Sequence, residues 1–80
     1  MIHPKEVVRQ SVAEEIEARG WTLDEFTERM QFGYRASAND YLTYGRRMTL
    51  VFAMRLAQCF GTSVDYWLRL GGRVDLVGRL

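Results

Sequence analysis

The stretch MTLVFAMRLAQCFGTSVDYWLRL, from Met48 to Leu70, contains the strongest helix signal in this chain. Thr49 is a favourable N-cap residue, so it marks the start of a helix that runs from Leu50 to Phe60. Within that helix, apolar side chains recur at the three- and four-residue spacing of a buried face. The residues expected to point inward are Phe52, Ala53, Leu56, Ala57 and Phe60.

A second, shorter helix is predicted directly after the first. Gly61 suits the left-handed residue that follows a helix end, and Thr62 or Ser63 can cap the next helix, Val64 to about Leu70. One chain of 80 residues cannot cover every large apolar side chain of so short a helix. We therefore expect some of them to face a second subunit of a homodimer, where aromatic residues dominate binding. The candidate interface residues are Tyr66, Trp67 and Leu70.

Two helices are predicted upstream. The first runs from Lys5 to about Arg19, because Pro4 suits a helix start and apolar residues follow at every fourth position. The second is short and begins at TLDE, residues 22–25, where a threonine and a glutamate have the spacing of a capping box. The apolar stripe of the first helix consists of Val8, Val12 and Ile16.

The segment between these pairs, residues 31–49, predicts one more helix. Tyr34, Ala38, Tyr41 and Leu42 form an apolar row at helical spacing, opposite a polar side. Five short helices without a strand pattern predict an all-α domain over residues 1–72, with a helix-turn-helix at the second and third helices. Residues 73–80 are expected to form a tail that is disordered or docked on a partner.

Composition argues for a folded domain and against disorder. The chain has 48% hydrophobic and 26% charged residues and a net charge of +1. Its second half, residues 41–80, carries six arginines against two aspartates, whereas the first half is acidic. We therefore expect the second half to be the part that approaches phosphate groups.

No residue pattern predicts an enzyme, a metal site or a cofactor. His3 has no acid–base partner nearby in sequence, and a single cysteine, Cys59, excludes a Cys-based zinc site. The apolar surroundings of Cys59 predict a packed thiol rather than a reactive one. No apolar run approaches the ~20 residues that span a membrane, and no signal-peptide pattern opens the chain. We expect a cytoplasmic protein without a small-molecule substrate.

The helices and their motifs resemble the XRE/Cro/C1-type helix-turn-helix family, and within it the HigA-type antitoxins. HPKEV, residues 3–7, is similar to the HPGE opening of these antitoxins, and TLDEFTERM, residues 22–30, resembles S-Q-x-E-L-A-x-x-L. The stretch from Arg47 to Leu70 is similar to R-x-I-T-x-x-x-A-x-R-L-A-x-x-x-G-T-S-x-x-F-W-L-x-L. Together these matches cover most of residues 3–70.

The resemblance implies a compact five-helix, lambda-repressor-like domain that binds its own double-stranded DNA operator as a homodimer and neutralises a RelE/HigB-like toxin. Its second motif helix would read base edges in the major groove, where arginine suits guanine and asparagine suits adenine. Asp40 beside them would repel phosphate, unless it accepts a hydrogen bond from a cytosine amino group. The candidate DNA-binding residues are Tyr34, Arg35, Ser37, Asn39, Tyr44, Arg46 and Arg47.

Departures from the family pattern keep a second interpretation open. Leu23 stands where the family usually has a glutamine that contacts the DNA backbone, and Gln31 replaces the usual glycine of the turn. The segment from Met30 to Thr49 is also longer than in the family. A protein-binding module that has lost its operator, or a phage repressor without a toxin partner, would fit these departures.

Overall fold

Five helices follow one another along residues 3–72, the part of the chain that the computed structural model describes. They are α1 (Pro4–Arg19), α2 (Leu23–Arg29), α3 (Arg35–Tyr44), α4 (Leu50–Phe60) and α5 (Val64–Leu70). No strand occurs among these residues, so the predicted all-α architecture is confirmed. The tail expected at residues 73–80 lies outside the described residues.

Side-chain caps set where the helices begin. The Thr22 hydroxyl accepts the N–H of Glu25 at 3.1 Å, and the Glu25 carboxylate accepts the N–H of Thr22 at 3.2 Å, which completes the predicted capping box. Thr49 caps α4, and Ser63 rather than Thr62 caps α5. Each such cap stabilises its helix by about 1 kcal/mol.

Left-handed residues set where two helices end. Gly20 and Gly61 follow α1 and α4 with φ angles of 66° and 68°, as predicted from their positions in the sequence. The turn between α2 and α3 contains Gln31 with φ 61°, the one non-glycine residue with positive φ among residues 3–72. Glutamine therefore occupies a conformation there that glycine adopts at lower cost.

The core lies where all five helices converge. Helix α2 packs against α3, α1 packs against both α3 and α5, and α4 packs against α5. Leu23 of α2 and Leu42 of α3 are partly buried against this core. The buried side chains are Val8, Val12, Phe26, Met30, Ala38, Tyr41, Met48, Phe52, Ala53, Leu56, Ala57, Phe60, Trp67 and Leu68.

Trp67 lies inside the single chain. Its side chain is 0% exposed, and its indole N–H donates to the Thr62 hydroxyl at 2.6 Å. Its ring packs against Phe60, with centroids 5.8 Å apart. Trp67 therefore has no surface left for a second subunit, because the short helices enclose it. The interface expected on α5 is reduced to Tyr66, which is 46% exposed, and the partly buried Leu70.

Candidate nucleic-acid interface

Helix α3 packs against α1 and α2. Ala38 and Tyr41 are its buried side chains. At its far end, the Arg9 guanidinium of α1 donates to the carbonyl of Leu42 at 3.1 Å, and an ion pair with Glu6 at 3.0 Å steadies that arginine. Arg9 was not a candidate from the sequence, because no local pattern pairs residues so far apart in the chain.

The polar side of α3 is exposed, as the sequence predicted. Arg35, Ser37 and Asn39 all lie in solvent, and their contact with DNA stays a prediction. The Arg35 guanidinium forms an ion pair with Asp24 of α2 at 3.2 Å, with 64% and 72% of the two side chains exposed. An ion pair this exposed contributes little to stability, so Arg35 can leave Asp24 for another partner.

Two exposed tyrosines lie at the ends of α3. Tyr44, its last residue, is 68% exposed, and Tyr34, its N-cap residue, is 76% exposed. The prediction that Tyr34 extends the apolar row is wrong. The helix begins at Arg35, so the helical spacing does not apply to the extended residue before it. Both phenol groups lie in solvent, where they can donate to phosphate.

The loop between α3 and α4 carries Arg46 and Arg47, both exposed. The Arg46 guanidinium lies over the ring of Phe52 at 4.9 Å and over Phe32 at 6.0 Å, which fixes its position beside α3. Arg47 lines a surface depression of about 320 Å³ together with Lys5 and His3. It makes no hydrogen bond or ion pair within residues 3–72, so its charge is available to an anion.

The start of α4 adds backbone donors beside these arginines. The Thr49 hydroxyl accepts a hydrogen bond from the N–H of Phe52 at 3.1 Å. The N–H groups of Leu50 and Val51 have no partner within the helix. Helix N-termini favour phosphate for this reason. Arginine charge and free amides thus lie together at one end of α3.

A second depression is lined in part by Arg46. Its volume is about 320 Å³, and Ser37, Asp40 and Tyr44 line it together with Tyr41 and Gly45. The Tyr41 hydroxyl is buried and has no hydrogen-bond partner among the described residues. Burial raises the pKa of Tyr41 well above its ordinary value, although the positive charges of Arg46 and Arg9 act to lower it. Sequence reasoning had placed Tyr41 in the core but could not show that its hydroxyl would be unpaired.

No group of histidine, cysteine, aspartate and glutamate side chains in residues 3–72 could hold a metal ion. No helix in this part of the chain combines the length and apolar character needed to cross a membrane.

Known proteins that the chain resembles are helix-turn-helix regulators. It is 42% identical over 43 residues, 54% of its length, to the uncharacterized HTH-type transcriptional regulator YbaQ of Escherichia coli strain K12. Over 43 residues it is 37% identical to an uncharacterized HTH-type transcriptional regulator of Haemophilus influenzae. The chain covers less than half the length of these relatives, 38% and 40%. No family model matches the chain, and no solved structure does.

These similarities support a helix-turn-helix family for the chain. They agree with the α2–turn–α3 geometry, in which one helix packs against the body and the next presents a polar side. They give no support to the antitoxin branch within that family, since neither relative is described as an antitoxin.

Proposed function

We propose that this chain is a sequence-specific DNA-binding transcriptional regulator that reads operator DNA with α3. The observation that carries the proposal is the placement of α3. It buries Ala38 and Tyr41, packs Leu42 partly against the core, presents its polar side to solvent, and ends beside Arg46 and Arg47. The partial similarity to HTH-type transcriptional regulators supports the same function.

In the proposed complex, α3 lies in the major groove of double-stranded DNA. Arg47 and the first amides of α4 hold the phosphate backbone, while Arg46 contributes charge from its fixed position over Phe52. Asn39 suits an adenine edge, and Arg35 suits a guanine edge once it leaves Asp24. Tyr34, Tyr44 and Ser37 add hydrogen bonds at the margins of α3.

The finer parts of the proposal are a homodimer, repression of its own operator and neutralisation of a RelE/HigB-like toxin. The exposed Tyr66 beside Leu70 supports a symmetric contact on α5. Two copies of α3 would then lie ~34 Å apart, one turn of B-DNA, and the operator would be palindromic. The toxin partner is supported by the antitoxin-like sequence motifs alone.

A protein-binding module without an operator is the second candidate. Leu23 favours it, because this side chain packs on the core and offers no donor to DNA. Asp24 and Asp40 favour it too, because both place negative charge on or beside the α3 surface. The two candidates differ in whether the purified chain binds DNA at all.

The test is a mobility-shift titration with DNA from upstream of the protein's own reading frame, at several salt concentrations. We expect Arg47→Ala to weaken binding to all sequences alike. The slope of log K against log salt concentration should become shallower by about one, the contribution of one phosphate contact. Arg69→Ala, which removes an exposed arginine of α5, is the matched control and should leave the slope unchanged.

Each outcome separates the two candidates. No shift of any duplex at low salt would overturn the DNA-binding proposal and favour the protein-binding module. If Arg47→Ala and the wild type both shift DNA with the same salt dependence, the chain binds DNA but Arg47 does not contact a phosphate. A small toxin-like reading frame beside this one, with a product that co-purifies, would support the antitoxin role.

A further inference from the structure

One carboxylate lies at the middle of the α3 surface that the proposed function assigns to DNA. Successive residues of an α-helix are rotated by about 100°. Ala38 and Tyr41 point into the core, so the opposite side of the helix is the row Ala36, Asp40 and Thr43. All three of these residues are exposed. A helix that enters a groove with its buried side towards the protein brings this row closest to the bases.

Asp40 is the charged member of that row. Ala36 has no polar group, and the Thr43 hydroxyl donates to the Asn39 carbonyl at 2.8 Å. Asp40, in contrast, makes no ion pair or side-chain hydrogen bond within residues 3–72. The centre of the row therefore presents hydrogen-bond acceptors without a donor of their own.

Neither Arg35 nor Arg46 forms an ion pair with Asp40. Arg35 is paired with Asp24 at 3.2 Å. Arg46 lines the same depression as Asp40, but its guanidinium packs over Phe52 at 4.9 Å. An unpaired carboxylate brought into a groove loses its water, and this costs free energy unless a donor replaces the water.

The major groove offers few donors to such a group. Guanine N7 and O6 and thymine O4 are acceptors and would face the carboxylate with like polarity. The amino group of cytosine is the donor that aspartate and glutamate side chains use in direct readout. Phosphate oxygens repel the group as well, so Asp40 weakens DNA binding everywhere except where a suitable base edge lies opposite it.

We infer that Asp40 is a specificity-determining residue that accepts a hydrogen bond from the amino group of one cytosine in each bound half-site. The inference rests on the proposed DNA-binding function and assigns one base of its operator. Asp40 thereby lowers affinity for arbitrary DNA and raises the ratio of specific to non-specific binding.

The test is a selection from a duplex library with a randomised centre, carried out with the full chain and with Asp40→Asn. The wild type should enrich duplexes with a cytosine at one position of each half-site. Duplexes selected by Asp40→Asn should have adenine in place of that cytosine, since asparagine pairs with adenine N6 and N7. Their other positions should be unchanged. On duplexes with the cytosine or the adenine, the two proteins should reverse their preference, each by about tenfold.

Glu14→Gln is the matched control, because it removes one negative charge from an exposed position of α1. It should select the same sequences as the wild type. Identical selected sequences for wild type and Asp40→Asn would overturn the inference while leaving DNA binding intact. The same base change with Glu14→Gln would also overturn it, since net charge would then explain the effect. Failure of the wild type to enrich any sequence at low salt would overturn the proposed function itself.

Discussion

At the scale of single residues, Gln31 holds a backbone conformation that costs free energy. Its φ of 61° lies in the left-handed region, where a Cβ atom crowds the following carbonyl oxygen. It lies in the turn that joins α2 to α3, so the strain sits beside the proposed reading helix. Glycine has no Cβ and adopts this conformation freely.

Gln31→Gly should therefore stabilise the domain. We expect its free energy of unfolding to rise by about 0.5–1 kcal/mol, the relief of strain less the greater entropy lost by glycine. Urea unfolding followed by far-UV circular dichroism measures the change. Gln10→Gly, at an exposed position inside α1, is the control and should lower stability by about 1 kcal/mol. A loss of stability in both variants would contradict the argument.

Cys59 is a second residue with a specific consequence. Its burial raises the pKa of the thiol to about 11, although Arg29 and Arg19 act in the opposite direction. Folding thus favours the neutral thiol over the thiolate. The stability that this contributes is complete below pH 9, the ordinary value, and is lost as the pH rises towards about 11.

The reactivity of Cys59 should show this shift. Since the thiolate is the nucleophile, alkylation of the native chain by iodoacetamide should accelerate with a midpoint near pH 11. In urea-unfolded protein the same profile should have its midpoint near pH 9. Equal midpoints in the two states would show that the fold does not shield the thiol.

At the scale of elements, the end of α5 packs directly on the residue before the α4 cap. A Cβ atom at Gly71 would lie 2.5 Å from the Cβ of Met48, closer than two non-bonded carbon atoms can approach. The φ of Gly71 is −84°, so its backbone conformation is one that any residue adopts. Glycine is needed there for space and not for conformation.

Gly71→Ala should consequently destabilise the domain by about 1–3 kcal/mol through overpacking. Met48→Gly removes the obstructing Cβ and creates the missing room, although it lowers stability itself because Met48 is buried. In that background, Gly71→Ala should have little further effect, so the two changes are coupled in a double-mutant cycle of thermal unfolding. Additive losses would mean that Met48 is not the obstacle.

Helix ends were predictable from the sequence because local chemistry determines them. Thr22, Thr49 and the glycines after α1 and α4 act through hydrogen bonds and φ angles within a few residues. Trp67 shows what local reasoning could not decide. Whether a large apolar side chain lies in one chain or between two depends on how five helices close around it. Periodicity within one helix contains no information on that closure.

The candidate site was predictable in part for a related reason. The exposure of Arg35, Ser37 and Asn39 follows from the apolar spacing of α3. The ion pair of Arg35 with Asp24 joins two helices, as does the hydrogen bond of Arg9 to α3, and neither has a signature in the sequence. Asp40 was visible as a charge, but its central position required the helix to be placed on the core.

At the scale of the whole molecule, the surface left for a second copy is smaller than the sequence suggested. Trp67 is buried, so Tyr66 is the exposed aromatic residue of α5. Its ring meets that of Trp67 edge to face at 4.9 Å, which holds one side of the tyrosine and leaves the other to solvent. A fixed, half-exposed aromatic side chain is the kind of residue that dominates symmetric interfaces.

If the proposed dimer forms through α5, Tyr66→Ala should weaken it by about tenfold or more. Sedimentation equilibrium over a range of concentrations measures this as a shift from dimer to monomer. Tyr34→Ala removes a more exposed tyrosine at the start of α3 and should leave the mass unchanged. A wild-type chain that is monomeric at every concentration would contradict both the proposed dimer and the proposed palindromic operator.

Most positions of α3 face solvent. Ala38 and Tyr41 are its buried side chains and Leu42 is partly buried, so its other positions can change without disturbing the core. If α3 reads bases as proposed, mutations on its exposed side can accumulate while the fold persists, and single substitutions can exchange one base preference for another. Descendants of this chain would then keep the architecture while their target sites diverge, so paralogues in one cell could act on separate sites without interfering with one another.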